Sequence, residues 1–115
     1  MATYTKTFLS GSTSGAPIAV ASSSDPGTTI HTAVSGSTAF DEVWLWATNV
    51  STTDAILTIV NGTSSTTQNR LVASVTATNI QLVLPGIPYN GALRISAFAT
   101  SVSNVNCFGF VNRIQ

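Results

Sequence analysis

The sequence predicts an all-β protein, a single β-sandwich or jelly-roll-like domain of about eight antiparallel strands spanning residues 1–115. Apolar and polar residues alternate with a period of two along most of the chain, and no segment sustains the i, i+3, i+4 apolar spacing of a helix. The candidate strands are rich in β-branched and aromatic residues and recur roughly every dozen residues, as in sandwiches and barrels. A length of 115 residues matches one domain.

Residues that break regular structure separate the predicted strands. Pro26-Gly27 suits the central pair of a type II turn. Asn61-Gly62 is predicted to end the strand at 54–60. The stretch LPGIPYNG at 84–91 contains two prolines and two glycines, so it is predicted to be a turn or corner. The predicted strands are 3–9, 17–22, 28–34, 42–50, 54–60, 70–77, 80–84, 92–99 and 104–112.

The charge content is low for a globular domain. Four cationic and four anionic residues make up 7% of the chain, against about 25% in typical domains. With a formal net charge of zero and no basic stripe, nucleic-acid binding is not expected. Apolar runs such as 55–60 are too short to span a bilayer, and the N-terminus lacks the apolar core of a secretory signal. Weak charge repulsion between copies favours a protein that works inside an assembly.

No arrangement of residues predicts catalysis, so we expect that the protein is not an enzyme. His31 is the single histidine and is expected to face outward from its strand. Asp41 and Glu42 are adjacent, so on a strand their side chains point to opposite faces and cannot act as a glycosidase pair. Asp25 and Asp54 lie at predicted turn edges, where Asp commonly bonds to the backbone. No cluster of ligands predicts a metal, and no phosphate-binding loop predicts a cofactor.

Two further motifs have structural interpretations. Cys107 is the single cysteine, so no disulfide can form within the chain, and a small buried apolar role is expected. The glycosylation sequons at Asn49 and Asn61 are interpreted as chance in a chain rich in Ser and Thr.

The segment FDEVWLWATNV at 40–50 is the most distinctive in the chain. Trp44 and Trp46 share one face of its strand, while Val43, Leu45 and Ala47 line the other. A strand that is apolar on both faces is covered on both faces. We therefore expect at least one tryptophan to lie in the core or in a subunit interface, and an open ligand platform is the third possibility.

Three more aromatic residues belong to the same hypothesis. Phe108 and Phe110 share a face of the last strand, and Gly109 between them indicates a close backbone approach. Together with Tyr89, Trp44 and Trp46, they are the predicted core or interface anchors. Aromatic side chains beside Asn90 could instead stack against a sugar ring, which keeps a carbohydrate-binding module as the alternative.

The segments FDEVWLWATNV, DAILTIVNG, LPGIPYNGALRISAFA and GFVNRI resemble small virion proteins of tailed bacteriophages, in particular capsid decoration (cement) proteins. The resemblance covers the C-terminal two-thirds of the chain and includes no catalytic motif. It implies a β-rich protein, a homotrimer in the favoured case, that binds the major capsid protein on the capsid surface and stabilises the phage head. Such a protein would be made in the bacterial host cytoplasm. A tail or neck structural protein is a further alternative that differs only in location.

Overall fold

The computed structural model describes residues 2–24, 27–62 and 69–115 and confirms the all-β prediction. The described residues form nine strands and no α-helix, and the strands are arranged as two antiparallel sheets around one core. The strands are β1 Tyr4–Phe8, β2 Ile18–Ala19, β3 Thr28–Thr32, β4 Phe40–Asn49, β5 Ala55–Asn61, β6 Arg70–Val75, β7 Ile80–Tyr89, β8 Arg94–Ala99 and β9 Val105–Ile114. Within the described ranges, no helix has the length and hydropathy needed to cross a membrane.

The two sheets have different strand orders. The five-stranded sheet runs β1-β9-β4-β7, and the short β2 pairs with β9 beside β1. The four-stranded sheet runs β3-β8-β5-β6. β4 and β9 pair over ten residues each, from Phe40 opposite Ile114 to Asn49 opposite Val105. Because β4 also pairs with β7, it is a central strand of this sheet.

The core lies between the sheets, and the central strands β4 and β9 turn alternate residues toward it. In β4 the odd-numbered residues are buried and the even-numbered ones are half-exposed. β9 contributes inward-facing residues at matching positions, among them the predicted buried Cys107. The largest fully buried apolar side chains are Leu9, Val20, Ile30, Val43, Leu45, Leu57, Ile59, Val60, Val75, Leu84 and Ile95.

The predicted turn or corner at 84–91 is wrong for most of its length, since β7 continues through it to Tyr89. β7 is an edge strand, so only one of its sides is hydrogen-bonded to a neighbouring strand. A proline, which has no N–H, loses no hydrogen bond between strands where its nitrogen faces away from the sheet. Pro85 and Pro88 are therefore accommodated, opposite Trp44 and Glu42. Two register shifts in the pairing with β4 absorb the irregular backbone.

Several other predicted boundaries differ by a few residues. The predicted strand 17–22 is reduced to two residues because the chain leaves the sheet early. Val20 still donates its N–H to Val105 O at 2.9 Å. The next amide, at Ala21, donates instead to the Thr28 hydroxyl at 3.0 Å, and the chain crosses to the other sheet. Pro26, in the predicted type II turn, lies outside the described residues, as does Asp25.

Candidate binding face

The two tryptophans lie on the outer face of the five-stranded sheet. Trp44 and Trp46 are half-buried, whereas Val43, Leu45 and Ala47 behind them are fully buried. The predicted division of β4 into two apolar faces is therefore confirmed. Neither tryptophan belongs to the core between the sheets. Of the three roles expected from the sequence, a subunit interface and a ligand platform are therefore left for these two side chains.

Strand register aligns these tryptophans with the two phenylalanines of β9. Trp44 lies opposite Phe110 and Trp46 opposite Phe108. The ring centroids of the two pairs are 6.3 and 6.1 Å apart with interplanar angles of 15°. Trp46 also contacts Phe110, at 6.1 Å and 32°. These four rings form one continuous cluster, called here the aromatic ladder, and cross-strand aromatic pairs of this kind stabilise a sheet.

Further apolar side chains extend the ladder on both sides. Phe8 of β1 lies opposite Phe110 and is 63% exposed, and Leu82 of β7 lies opposite Trp46 and is 43% exposed. Tyr4 and Ile80 continue the two flanks and are more than half exposed. We call the ladder with these four residues the aromatic face. A contiguous exposed apolar surface of this kind marks an interaction site.

A glycine supports one ring of the ladder from below. Gly86 has a φ of +74°, and a Cβ there would lie 2.7 Å from Cζ2 and 2.8 Å from Cε2 of Trp44. The indole Nε1 of Trp44 is buried without a hydrogen-bond partner among the described residues. The ring is thus held by packing, and the position of Trp44 depends on the absence of a side chain at residue 86.

Gly86→Ala is expected to displace the Trp44 indole and change the tryptophan fluorescence spectrum. A clash with a movable side chain shifts that side chain and leaves the fold intact. Gly91→Ala is the matched control, because Gly91 also has a positive φ, +65°, but a Cβ there would meet no atom within 4 Å. Both variants carry a similar backbone penalty of about 1 kcal/mol. Equal spectra for the two variants would contradict this account of Trp44.

Two charges lie on the aromatic face. Lys6 of β1 and Glu42 of β4 both lie opposite Asn112 of β9, so they occupy one row with a single strand between them. The Lys6 ammonium lies 4.6 Å from the centroid of the Phe110 ring, a cation–π contact. Glu42 is half-buried, and no hydrogen bond or ion pair to it occurs among the described residues.

An open groove of about 670 Å³ adjoins the ladder where β1 leaves the sheet. Phe8 and Phe110 form its apolar walls, and Lys6, Thr7, Gly15 and Gly109 complete its lining. The groove makes this end of the aromatic face concave, so a partner could insert a side chain there.

Tyr89 does not join the other predicted anchors. Its side chain packs against the core cluster, on the opposite side of the five-stranded sheet from the ladder. The Tyr89 hydroxyl donates to Asn61 Oδ1 at 3.0 Å and so links the two sheets. Burial raises the pKa of Tyr89. Four of the five predicted anchors therefore share one surface, and their role in an interface stays a prediction.

A buried charge cluster lies behind the face, and the sequence interpretation missed it. Asp41 is fully buried, and its carboxylate accepts from Arg113 Nε at 2.7 Å and Arg113 Nη2 at 3.0 Å. His31 Nε2–H donates to Asp41 Oδ2 at 2.8 Å, and the Val34 N–H donates to the same oxygen at 3.0 Å. Burial alone would raise the pKa of Asp41, but the hydrogen bonds from Arg113 and His31 hold that pKa below its usual value.

His31 is therefore buried, and the expectation that it faces outward is wrong. Its Nδ1 accepts the backbone N–H of Ser10 at 2.9 Å, while its Nε2–H is bonded to Asp41. The Ser10 hydroxyl accepts the Thr32 N–H at 2.7 Å. Both ring nitrogens are occupied by structural contacts, so His31 is not placed to activate this serine. The sequence does contain a signal for this cluster, because Asp41 shares a face of its strand with apolar residues. A carboxylate buried on such a face requires a buried partner.

The remaining motifs have structural roles. Asp41 and Glu42 point to opposite faces, as predicted. Asp54 accepts the Ala77 N–H at 2.9 Å, the backbone role expected of it. The Asn49 amide donates to Thr53 O and Val75 O from a buried position. The described residues contain no group of three or more side chains of the metal-binding types His, Cys, Asp and Glu.

Comparisons with protein-family models, with curated proteins and with solved structures find no match to this chain. The class that the fold and the face define is an antiparallel β-sandwich with an exposed aromatic surface on one sheet.

Proposed function

We propose that this chain is a structural virion protein, a capsid decoration protein that binds the major capsid protein and stabilises the phage head. The observation that carries the proposal is the aromatic face, a large apolar surface on a chain with very few charges. Aromatic residues are enriched in the cores of protein interfaces, and charged residues are depleted there. A surface of this composition is suited to burial in an assembly.

The physical basis of such a role is burial of apolar and uncharged polar surface. Trp44, Trp46, Phe108 and Phe110 are prearranged by strand pairing, so little side-chain entropy is lost when a partner covers them. An interface with few charges would depend weakly on salt. The proposed protein acts as a homo-oligomer on the outer surface of the capsid, with the trimer implied by the resemblance as the favoured form and with no catalytic step.

The proposal is tested by gene neighbourhood and co-sedimentation. A decoration gene is expected beside a capsid gene, and purified protein is expected to sediment with shells assembled from that capsid protein. Trp46→Ser should reduce the bound amount, whereas Val72→Ser should not. Val72 is the matched control because it is 64% exposed on the four-stranded sheet. Protein that stays in the supernatant at saturating shell concentration would contradict the proposal, and a gene beside tail genes would favour the tail or neck alternative.

Carbohydrate binding is the second candidate, favoured by the same exposed rings. A sugar could stack on the ladder and bond to Glu42 and Asn112 in the adjoining row. Titration of tryptophan fluorescence with host glycans distinguishes the two candidates. A saturable shift that is lost in Trp46→Ala would support sugar binding, and an unchanged spectrum would leave the assembly role as the only candidate.

A further inference from the structure

We infer that the aromatic face binds a second copy of this chain, related by a two-fold axis that runs nearly parallel to β9. The inference rests on the proposed function in one respect, that the aromatic face is an assembly surface. It adds the occupant of that surface and the geometry of the contact.

The aromatic face carries two opposite charges in one row. The row formed by Lys6, Asn112 and Glu42 places one cation and one anion at equal distances on either side of β9. The described residues of this face contain no other charged side chain, because Arg113 is turned to the inner side and bonded to Asp41. The face therefore has opposite charges arranged symmetrically about its central strand.

A two-fold axis pairs these opposite charges between two copies of the chain. An axis lying above β9 and along it exchanges the β1 side of one copy with the β4 side of the other. It places Lys6 opposite Glu42 of the partner subunit and Glu42 opposite Lys6 of the partner subunit. A two-fold contact is self-complementary and repeats each pair twice, so both charges are matched and no like charges meet. Glu42, which is half-buried and has no partner among the described residues of its own chain, thereby gains a cation.

The same axis matches apolar groups in the neighbouring row. Phe8 on β1 and Trp44 on β4 lie on either side of Phe110. The axis places Phe8 opposite the partner subunit's Trp44, and the two Phe110 rings meet near the axis. Sheets that stack face to face with nearly aligned strands form a stable packing about 10 Å thick.

An axis along β9 places β1, β9 and β4 of one copy opposite β4, β9 and β1 of the other. β7, with Ile80 and Leu82, lies outside this contact. The pairing therefore relies on the two matched charges and on the aromatic row of Phe8, Phe110 and Trp44. A face that pairs with itself produces two-fold assemblies, so a trimer of this protein would require a second, different contact surface.

Sedimentation velocity of the full chain tests the pairing, with charge-reversal variants as probes. The wild type should sediment with twice the 11.9 kDa chain mass. Lys6→Glu and Glu42→Lys should each weaken the dimer at least about tenfold, since each places like charges opposite one another twice. The double variant, which exchanges the two charges, should recover wild-type affinity to within about threefold, and the two single variants mixed together should form a mixed dimer.

The controls separate this pairing from a general effect of charge. Val72→Lys adds a charge to the exposed side of the other sheet and should leave the dimer unchanged. Thermal unfolding of each variant shows whether it is folded. A wild-type monomer, a trimer without even-numbered species, or a double variant as weak as the single variants would overturn the inference. A monomer that still sediments with shells overturns the pairing alone, whereas a dimer that does not sediment with shells overturns the proposed function alone.

Discussion

Asp41→Asn is expected to lower the free energy of unfolding by about 3 kcal/mol, a large share of the 5–15 kcal/mol that holds a domain folded. The substitution keeps the size of the side chain and removes its charge. The Arg113 guanidinium then loses its ionic partner, and the hydrogen bonds from His31 and Val34 lose the charge assistance of the carboxylate. These contacts join β3, β4 and β9, so the loss affects both sheets. Urea denaturation measures the difference.

Glu42→Gln is the matched control for this prediction. Glu42 follows Asp41 directly but faces outward, without a hydrogen bond or ion pair among the described residues. At a chain concentration low enough for the protein to be monomeric, neutralising Glu42 should change the free energy of unfolding by no more than about 0.5 kcal/mol. Equal effects of the two substitutions would show that the buried contacts of Asp41 do not stabilise the fold.

The contribution of Asp41 should depend on pH in a defined direction. The pKa of Asp41 in the folded state is below its usual value of 3.8, because the hydrogen bonds from Arg113 and His31 outweigh the effect of burial. A lowered pKa contributes stability that is fully present above the unfolded-state value and is lost as the pH falls through the folded-state value. The stability difference between wild type and Asp41→Asn should therefore shrink as the pH falls below about 4. If the stability difference between wild type and Asp41→Asn grew at low pH, the pKa of Asp41 could not be lowered by folding.

Gly109→Ala is expected to lower the free energy of unfolding by about 3 kcal/mol. A Cβ at residue 109 would overlap the backbone oxygen of Trp44 and lie 2.9 Å from its carbonyl carbon and 3.1 Å from Leu45 Cα. These atoms belong to the central β4–β9 pairing, so they cannot move without breaking the ladder of hydrogen bonds between the two strands. The sequence predicted a close backbone approach here, and the structure confirms it.

The test compares Gly109→Ala with Gly91→Ala in thermal and urea unfolding. Gly91→Ala meets no neighbouring atom and should cost only the backbone penalty of about 1 kcal/mol. A second readout is the thiol of Cys107, whose pKa burial raises to about 12. Its reaction with a thiol reagent should be slow in the wild type and faster in Gly109→Ala as the β4–β9 pairing opens. Equal stability of the two glycine variants would show that β9 can shift away from Trp44.

The fold class was predictable because its signal is local and repeated. Alternation with period two is clear in β4 and β9, and both strands have the face assignments that their sequences predict. The stretch 84–91 was not predictable in the same way. Its prolines and glycines indicate a turn by local rules, but an edge position tolerates them within a strand. Whether a strand lies at an edge depends on the order of all strands in the sheet.

The candidate site was predictable in part. Four of the five aromatic anchors lie together. Residues two apart on a strand share a face, which the sequence predicts, whereas the pairing of β4 with β9 is set by the topology. The fifth, Tyr89, lies on the other side of the sheet because its strand follows an irregular register against β4. The contribution of Phe8 and Leu82 to the face could not be read from the sequence, because both come from strands whose neighbours are set by the topology.

By itself, the sequence determined the all-β class, the low charge and which side chains of β4 and β9 share a face. These properties follow from the composition and from the two-residue period of a strand. Composition and period can both be read without knowing which distant parts of the chain are in contact. Only the tertiary structure decided that Trp44 and Trp46 face outward and that Asp41 meets His31 and Arg113 inside. Segment FDEVWLWATNV is apolar on both faces, so either face could have turned inward. The buried cluster selects the face of Asp41, because its carboxylate finds its partners only there, and the aromatic ladder is left on the surface.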